Sequence, residues 1–107
     1  MISDEGRKKT TEAISEALGA YHELDWTFQK YGYPPEEAQD DYRAEIDSIL
    51  FDFARIVEIQ NGTKFEPTTT DENYEAWYVS SIVEAAKRIE SSCDEIEDLL
   101  PKKPIRD

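Results

Sequence analysis

Three isoleucines recur at intervals of seven residues in the last third of the chain, at Ile82, Ile89 and Ile96. This spacing places their side chains on one face of an α-helix, as in the buried seam of a helical bundle. Two earlier segments carry similar stripes, made of Ile14, Ala17, Leu18, Tyr21, Leu24, Phe28 and Tyr31 in the first and of Tyr42, Ile46, Ile49, Leu50, Phe53, Ile56 and Val57 in the second. The sequence therefore predicts three long amphipathic helices, over about residues 4–31, 35–60 and 69–100.

Residues typical of helix ends lie at the borders of these segments. Gly32 is expected to close the first helix in a left-handed conformation, and Pro35 is expected at the first position of the second. Thr69 and Glu72 have the spacing of a capping box for the third helix. The borders thus agree with the apolar stripes.

The dipeptide Asn61-Gly62 has two interpretations, a helix stop and a hairpin turn. A two-residue turn would pair Ile59 with Lys64, which sets an apolar residue opposite a charge. A helix end followed by a loop is therefore favoured over 55–66, and a short hairpin stays the alternative.

These elements predict an all-α fold, in which three helices form an antiparallel up-down-up bundle. At about 1.5 Å per residue each helix would be roughly 40–45 Å long, and similar lengths favour side-by-side packing. Residues 1–100 are expected to form one domain and residues 101–107, which begin at Pro101, a flexible tail. A homodimer of such bundles is an open alternative.

The chain is strongly acidic, with a formal charge of −13 from 25 acids and 12 bases. This charge argues against direct binding of nucleic acid or of an anionic membrane, since both need lysine and arginine. The longest apolar run has four residues and ends at Val79, whereas a membrane span needs about 20. A single cysteine, Cys93, forms no intramolecular disulfide, so a reduced cytoplasmic protein is expected.

No residue pattern in the chain identifies a reaction or a cofactor. The only histidine, His22, lacks the glutamate three residues earlier that di-iron bundles require. The acid pairs Glu36-Glu37-x-x-Asp40 and Glu95-x-x-Asp98 are similar to the magnesium-binding motifs of all-α nucleotide pyrophosphatases. In a chain with 25 acids such matches arise by chance. We therefore expect no enzyme, no metal site and no cofactor, with a Mg-dependent pyrophosphatase as one alternative.

Two acid-rich stretches stand out, residues 36–52 and 90–98. Like charges four residues apart destabilise a helix by about 0.2–0.5 kcal/mol per pair, and acids near a helix C-terminus are unfavourable as well. Unfavourable charge kept in one place suggests a basic partner that offsets it. The predicted partner-binding acids are Glu37, Asp40, Asp41, Glu45, Asp52, Asp94 and Glu95.

Three large aromatic residues, Trp26, Phe51 and Trp77, fall outside the heptad seams. A loop that contains Phe65 could cover them; otherwise they form an exposed surface that binds a partner. Together with the acids they favour a protein-binding inhibitor of the immunity-protein or phage anti-defence type. Its partner would be a basic protein such as a nuclease or another nucleic-acid-binding protein. Two other classes stay open, namely a structural or adaptor subunit and a nucleic-acid mimic.

Overall fold

The computed structural model describes residues 2–62 and 71–101, with side chains described from residue 74 onward in the second range. Helix α1 spans Asp4–Tyr31, a short 3₁₀ helix spans Glu36–Ala38, α2 spans Gln39–Gln60 and α3 spans Asp71–Asp98. Within these two ranges there is no strand, which confirms the predicted all-α class. The capping box at Thr69, the loop residue Phe65 and the tail from residue 102 lie outside the described residues.

Helices α1 and α2 run antiparallel, and their contacts are made by aromatic rings. The ring of Tyr21 lies edge-on to that of Phe53, and the ring of Phe28 lies edge-on to that of Tyr42, both with centroids 5.9 Å apart. As the residue number rises along α1 it therefore falls along α2. Aromatic pairs in this geometry stabilise a fold by about 0.5–1.5 kcal/mol beyond the area that they bury.

Helices α1 and α3 run parallel, which completes the predicted up-down-up order. At one end the Ser3 amide donates a hydrogen bond to the Glu75 carboxylate. At the other end Thr27 and Tyr31 of α1 share a surface depression with Glu97 of α3.

The core lies along α3, which packs against both of the other helices. Ile82, Ile89 and Ile96 are completely buried, so the seven-residue spacing does mark the buried seam of α3. From the other helices the core receives Ala17, Leu24, Ile49, Ile56 and Ile59. Within the described ranges no Cα atom of α1 comes within 8 Å of a Cα atom of α2. The two outer helices are thus held by α3 and by the rings between them.

The stripes predicted for α1 and α2 are only partly buried. Leu18, Tyr21, Leu50 and Val57 were expected inside the bundle, yet all four are exposed, Leu50 to 55%. The physical reason is the separation of α1 and α2, which have no Cα atoms within 8 Å of each other in the described ranges. Leu18 and Tyr21 line an open cleft where a closed seam was expected.

The chain between α1 and α2 differs from its predicted geometry at two residues. Gly32 has the expected positive φ of 88°, but its ψ of 177° is extended, not left-handed helical. Pro35 has an extended ψ of 164° and precedes the 3₁₀ helix, so it is not the first helical residue. The preceding residue, Pro34, is buried and accepts a hydrogen bond of 2.8 Å from Gln39 Nε2. This contact fixes the extended connection.

The described part of the 55–66 segment is helical and then turns. Helix α2 continues to Gln60, and the amides of Asn61 and Gly62 donate to the carbonyls of Val57 and Ile59. The hairpin alternative is therefore wrong for the strand before Asn61-Gly62. The segment after the turn lies outside the described residues.

Candidate functional site

The fold concentrates acidic side chains in one half of the bundle. When each helix is divided at its midpoint, residues 18–49 and 85–101 form what we call the acidic half, which contains 13 acids and 4 bases. The other described residues with placed side chains, 2–17, 50–62 and 74–84, contain 8 acids and 4 bases. Both acid-rich stretches of the sequence thus contribute to one end of the molecule.

The helix directions bring these stretches together. The start of α2 lies beside the end of α1, since Tyr42 contacts Phe28. The end of α3 lies beside the end of α1 as well, where Glu97 and Tyr31 line one depression. Residues about 50 positions apart in the sequence therefore share one end of the bundle.

Most of the predicted acids are accessible there. Glu45 is half-buried, and the exposed ones are Glu37, Asp40, Asp41, Asp94 and Glu95. Asp52 is the exception, because only 2% of its surface is exposed. Its Oδ1 atom accepts a hydrogen bond of 3.1 Å from Arg88 Nε. The assignment of Asp52 to a partner-binding surface is wrong, since it lies between α2 and α3 and has its own cation.

Acids from two helices converge at Glu97. Burial raises the pKa of the Glu97 carboxyl, and the negative charges of Asp94, Glu23 and Asp98 raise it further. Glu23 belongs to α1 and lies in neither acid-rich stretch, so the charge pattern along the sequence did not identify it. The convergence shows that like charges are held close together at this end of the bundle.

The three off-seam aromatic residues separate into two groups. Trp26 on α1 and Phe51 on α2 are 69% and 67% exposed. Trp77 is half-buried, packs against the core and lies with its ring centroid 5.9 Å from that of Tyr74. Trp26 and Phe51 thus remain candidates for partner contact, whereas Trp77 contributes to packing.

An open cleft of about 620 Å³ lies between α1 and α2 in the acidic half. Among the described residues, its lining combines aromatic rings, aliphatic side chains, an imidazole and one carboxylate: Leu18, Tyr21, His22, Leu24, Asp25, Phe28, Tyr33, Tyr42 and Ile46. Sequence reasoning assigned several of these residues to closed seams and did not predict the cleft. The sequence did contain one indication of it. Both stripes carry large aromatic residues, and such rings can hold two neighbouring helices apart.

The rings in this cleft are arranged around Phe28. Tyr33 stacks on it with centroids 4.8 Å apart and planes inclined by 25°, and Tyr42 meets it edge-on. Burial raises the pKa of the Tyr42 phenol, with further contributions from Tyr21 and Tyr33. Three phenol groups therefore converge in one cleft. Asp25 lies in the same lining, and its Oδ2 atom accepts a hydrogen bond of 3.2 Å from Gln29 Nε2.

Cys93 is a buried thiol with the properties predicted for a core residue. Burial raises its pKa to about 11, and the neighbouring charges of Asp94, Glu97 and Glu90 act in the same direction. A thiol that stays protonated at neutral pH is a poor nucleophile and a poor metal ligand.

Among residues 2–62 and 71–101 no three His, Cys, Asp or Glu side chains are placed so that they could hold a metal ion. None of the helices, over that same part of the chain, combines the length and the apolar character that a membrane span requires. Comparison with protein-family models, with curated proteins and with solved structures finds no match to the chain.

Proposed function

We propose that the protein is a protein-binding inhibitor that docks with its acidic half on a basic surface of a partner, such as a nuclease or another nucleic-acid-binding protein. The observation that carries this proposal is the meeting of the two acid-rich stretches at one end of the bundle. Such an inhibitor would resemble immunity proteins and phage anti-defence proteins in its mode of action, which is to cover a basic site.

The electrostatics favour a cationic partner over any other. Like charges crowd Glu97 from two helices, and this repulsion is relieved when lysine or arginine side chains approach. A surface of one sign also steers an oppositely charged partner, which raises association rates by about 10–1,000-fold at low salt.

Trp26 supplies an apolar anchor inside the same half. It is 69% exposed and directly follows Asp25 in the sequence, with Glu23 three residues before it, and both of these acids are exposed. Interfaces obtain most of their binding energy from a few residues, and tryptophan is the most enriched among them. An exposed indole with two carboxylates close to it in the sequence fits a partner that has an apolar pocket beside basic side chains.

The proposal is tested by capture of partners from the native organism with two variants of equal charge. The acidic-half variant carries Asp41→Asn, Asp94→Asn and Glu95→Gln, all at exposed positions of the acidic half. We expect the wild type to retain a basic protein, identified by mass spectrometry, and the acidic-half variant to lose it.

The control variant carries Glu12→Gln, Glu16→Gln and Glu84→Gln, all exposed and all in the other half. It has the same net charge as the acidic-half variant and should retain the partner. Equal loss from both variants would mean that total charge matters and that the acidic half does not. A partner displaced equally well by any duplex DNA, together with several other basic proteins, would favour a nucleic-acid mimic.

A second candidate is a homodimer, favoured by exposed aliphatic side chains on α1 and α2. Leu18 on α1 and Leu50 and Val57 on α2 are each more than half exposed. A second copy that covered these side chains would remove their apolar surface from water. Sedimentation equilibrium at about 100 μM, well above the dissociation constant of a stable dimer, decides this. A monomer contradicts the homodimer, and a dimer abolished by Leu50→Lys supports it.

A further inference from the structure

We infer that the cleft between α1 and α2 receives an arginine side chain of the protein partner, an inference that rests on the proposed function. Arginine would then be the residue type of the partner that the acidic half recognises specifically. The cleft lies within the acidic half, and three kinds of observation point to a guanidinium group.

The first is the aromatic wall of the cleft. Tyr33 stacks on Phe28 with one face, and 67% of its surface is exposed. Its other face is therefore open to solution, and Tyr33 is one of the residues that line the cleft. A guanidinium is attracted to the face of an aromatic ring, and the attraction strengthens as the site is desolvated.

The second is the way in which Tyr33 is held. Gly32 before it has a φ of 88° with an extended ψ, a conformation open to glycine and strained for other residues. Pro34 after it is buried and bonded to Gln39. The ring is thus placed in advance of binding, which lowers the conformational entropy lost in the complex.

The third is the set of acceptors. Tyr21, Tyr33 and Tyr42 all line the cleft, and among the described residues of the lining Asp25 is the only acid. A guanidinium carries five N–H donors in a plane and no acceptor, so it can bond to phenol and carboxylate oxygens while its plane stacks on a ring. A lysine ammonium lacks this plane, and an anion would be repelled by the surrounding charge.

The size of the cleft agrees with such a guest. Its volume of about 620 Å³ lies within the range of about 300–1,000 Å³ that small-molecule sites occupy. Leu18, Leu24 and Ile46 provide apolar surface for the methylene stem of the arginine.

The direct test uses three blocked pentapeptides, Gly-Ser-X-Ser-Gly, in which X is arginine, lysine or citrulline. Citrulline keeps the shape of arginine and removes its charge. Titration followed by NMR should move the ring resonances of Tyr33 and Tyr42, with arginine binding about threefold or more tighter than lysine and citrulline weakest. Equal affinity of the three peptides, or shifts spread evenly over the acidic half, would overturn the inference.

Three variants locate the binding site. Tyr33→Leu removes an exposed ring, and Asp25→Asn removes the carboxylate while an amide oxygen remains for Gln29. Each variant should bind the arginine peptide with an affinity about fivefold or more lower than the wild type, equivalent to about 1 kcal/mol. Asp47→Asn, an exposed acid of the same half outside the cleft lining, should change the affinity by less than about twofold. Circular dichroism shows whether each variant is folded.

The same variants separate this inference from the proposed function. If the captured partner binds Tyr33→Leu and Asp25→Asn as well as it binds the wild type, but no longer binds the acidic-half variant, the arginine site is refuted and the docking proposal stands. If the peptides bind in the cleft but no basic protein depends on the acidic half, the docking proposal fails instead.

Discussion

The Oδ1 atom of Asp52 on α2 accepts a hydrogen bond of 3.1 Å from Nε of Arg88 on α3, and only 2% of Asp52 is exposed. A carboxylate is thus enclosed between two helices that both contribute isoleucines to the apolar core. The Arg88 side chain is half exposed, so the pair is buried at the carboxylate and hydrated at the guanidinium. A buried carboxylate depends on such a partner, because its desolvation is uncompensated without one.

Arg88→Gln should therefore destabilise the fold by about 1–3 kcal/mol, the usual penalty for a buried polar group without its partner. Urea unfolding followed by circular dichroism measures the change in the free energy of unfolding. Lys87→Gln, at an exposed neighbouring position of α3, should change it by less than about 0.5 kcal/mol. Equal effects of the two substitutions would show that the ion pair does not stabilise the contact between α2 and α3.

Replacement by alanine should change the stability of the protein in opposite directions at two glycines. Gly19 lies inside α1 with no atom within 4 Å of the position that a Cβ would take. Gly19→Ala should stabilise the protein by about 0.5–1 kcal/mol through helix propensity. Gly32 has a φ of 88° and an extended ψ, so Gly32→Ala should destabilise it by about 1–3 kcal/mol. Thermal unfolding measures both, and a stabilising Gly32→Ala would contradict the described connection.

The heptad pattern predicted the helices well because a helix is a local structure. The observed α1 has the predicted bounds of residues 4–31, and the predicted α3 seam is completely buried at Ile82, Ile89 and Ile96. The same pattern failed for Leu18 and Leu50, since it identifies the apolar side of a helix but not the distance to its neighbour. That distance depends on how rings such as Phe53 and Phe28 pack, which only the folded structure shows.

The Cys93 thiol should be nearly inert in the native protein. Only 2% of the residue is exposed, and its pKa is raised from 9.0 to about 11. At pH 8 we expect reaction with a disulfide reagent to be slower than in the urea-unfolded chain by about 100-fold or more, because burial and the low thiolate fraction act together. Reaction at the unfolded rate would contradict the placement of Cys93.

The same pKa determines how stability changes with alkaline pH. A pKa that is higher in the folded state means that the folded protein holds the proton more tightly. This contribution is fully present below pH 9.0 and is lost as pH rises toward about 11. Cys93→Ser should reduce the change in the free energy of unfolding between about pH 9 and pH 11, whatever its effect on stability at neutral pH.

Glu97→Gln should stabilise the protein at neutral pH. Burial and the charges of Asp94, Glu23 and Asp98 raise the pKa of the Glu97 carboxyl, so its ionised form is disfavoured in the fold. Loss of a negative charge near the α3 C-terminus should contribute about 0.3–1 kcal/mol, less at high salt. Glu84→Gln, an exposed acid earlier in α3, is the control. A destabilised Glu97→Gln variant would contradict the convergence of charge.

For Glu97 the pH dependence has a definite sign. Because the folded pKa of Glu97 is raised above the ordinary value of a glutamate, its protonated form is favoured by folding. The stability from this group is present at low pH and is lost as pH rises through the folded pKa. The wild type should therefore gain more stability than Glu97→Gln when the pH is lowered from 7 to 5.

The candidate site was only partly predictable, and Asp52 and Glu23 show why. Asp52 belongs to an acid-rich stretch of the sequence but faces Arg88 in the interior. Glu23 belongs to no such stretch but approaches Glu97 from another helix. Charge density along a sequence records neighbours in the chain, whereas the electrostatics of a surface depend on neighbours in space. The cleft around Tyr33 depends in turn on a connection whose geometry follows from Gly32.

The most direct test of docking through the acidic half is the dissociation constant of the captured partner, measured by calorimetry at about 0.05 M and 0.5 M NaCl, where the Debye length falls from about 14 to 4 Å. We predict that the affinity of the wild type for the partner weakens by about tenfold or more between the low and the high salt concentration. The acidic-half variant, with Asp41, Asp94 and Glu95 neutralised, should already be about tenfold weaker at low salt and respond less to it. The control variant should behave like the wild type. An affinity that is the same for all three proteins and insensitive to salt would contradict the account.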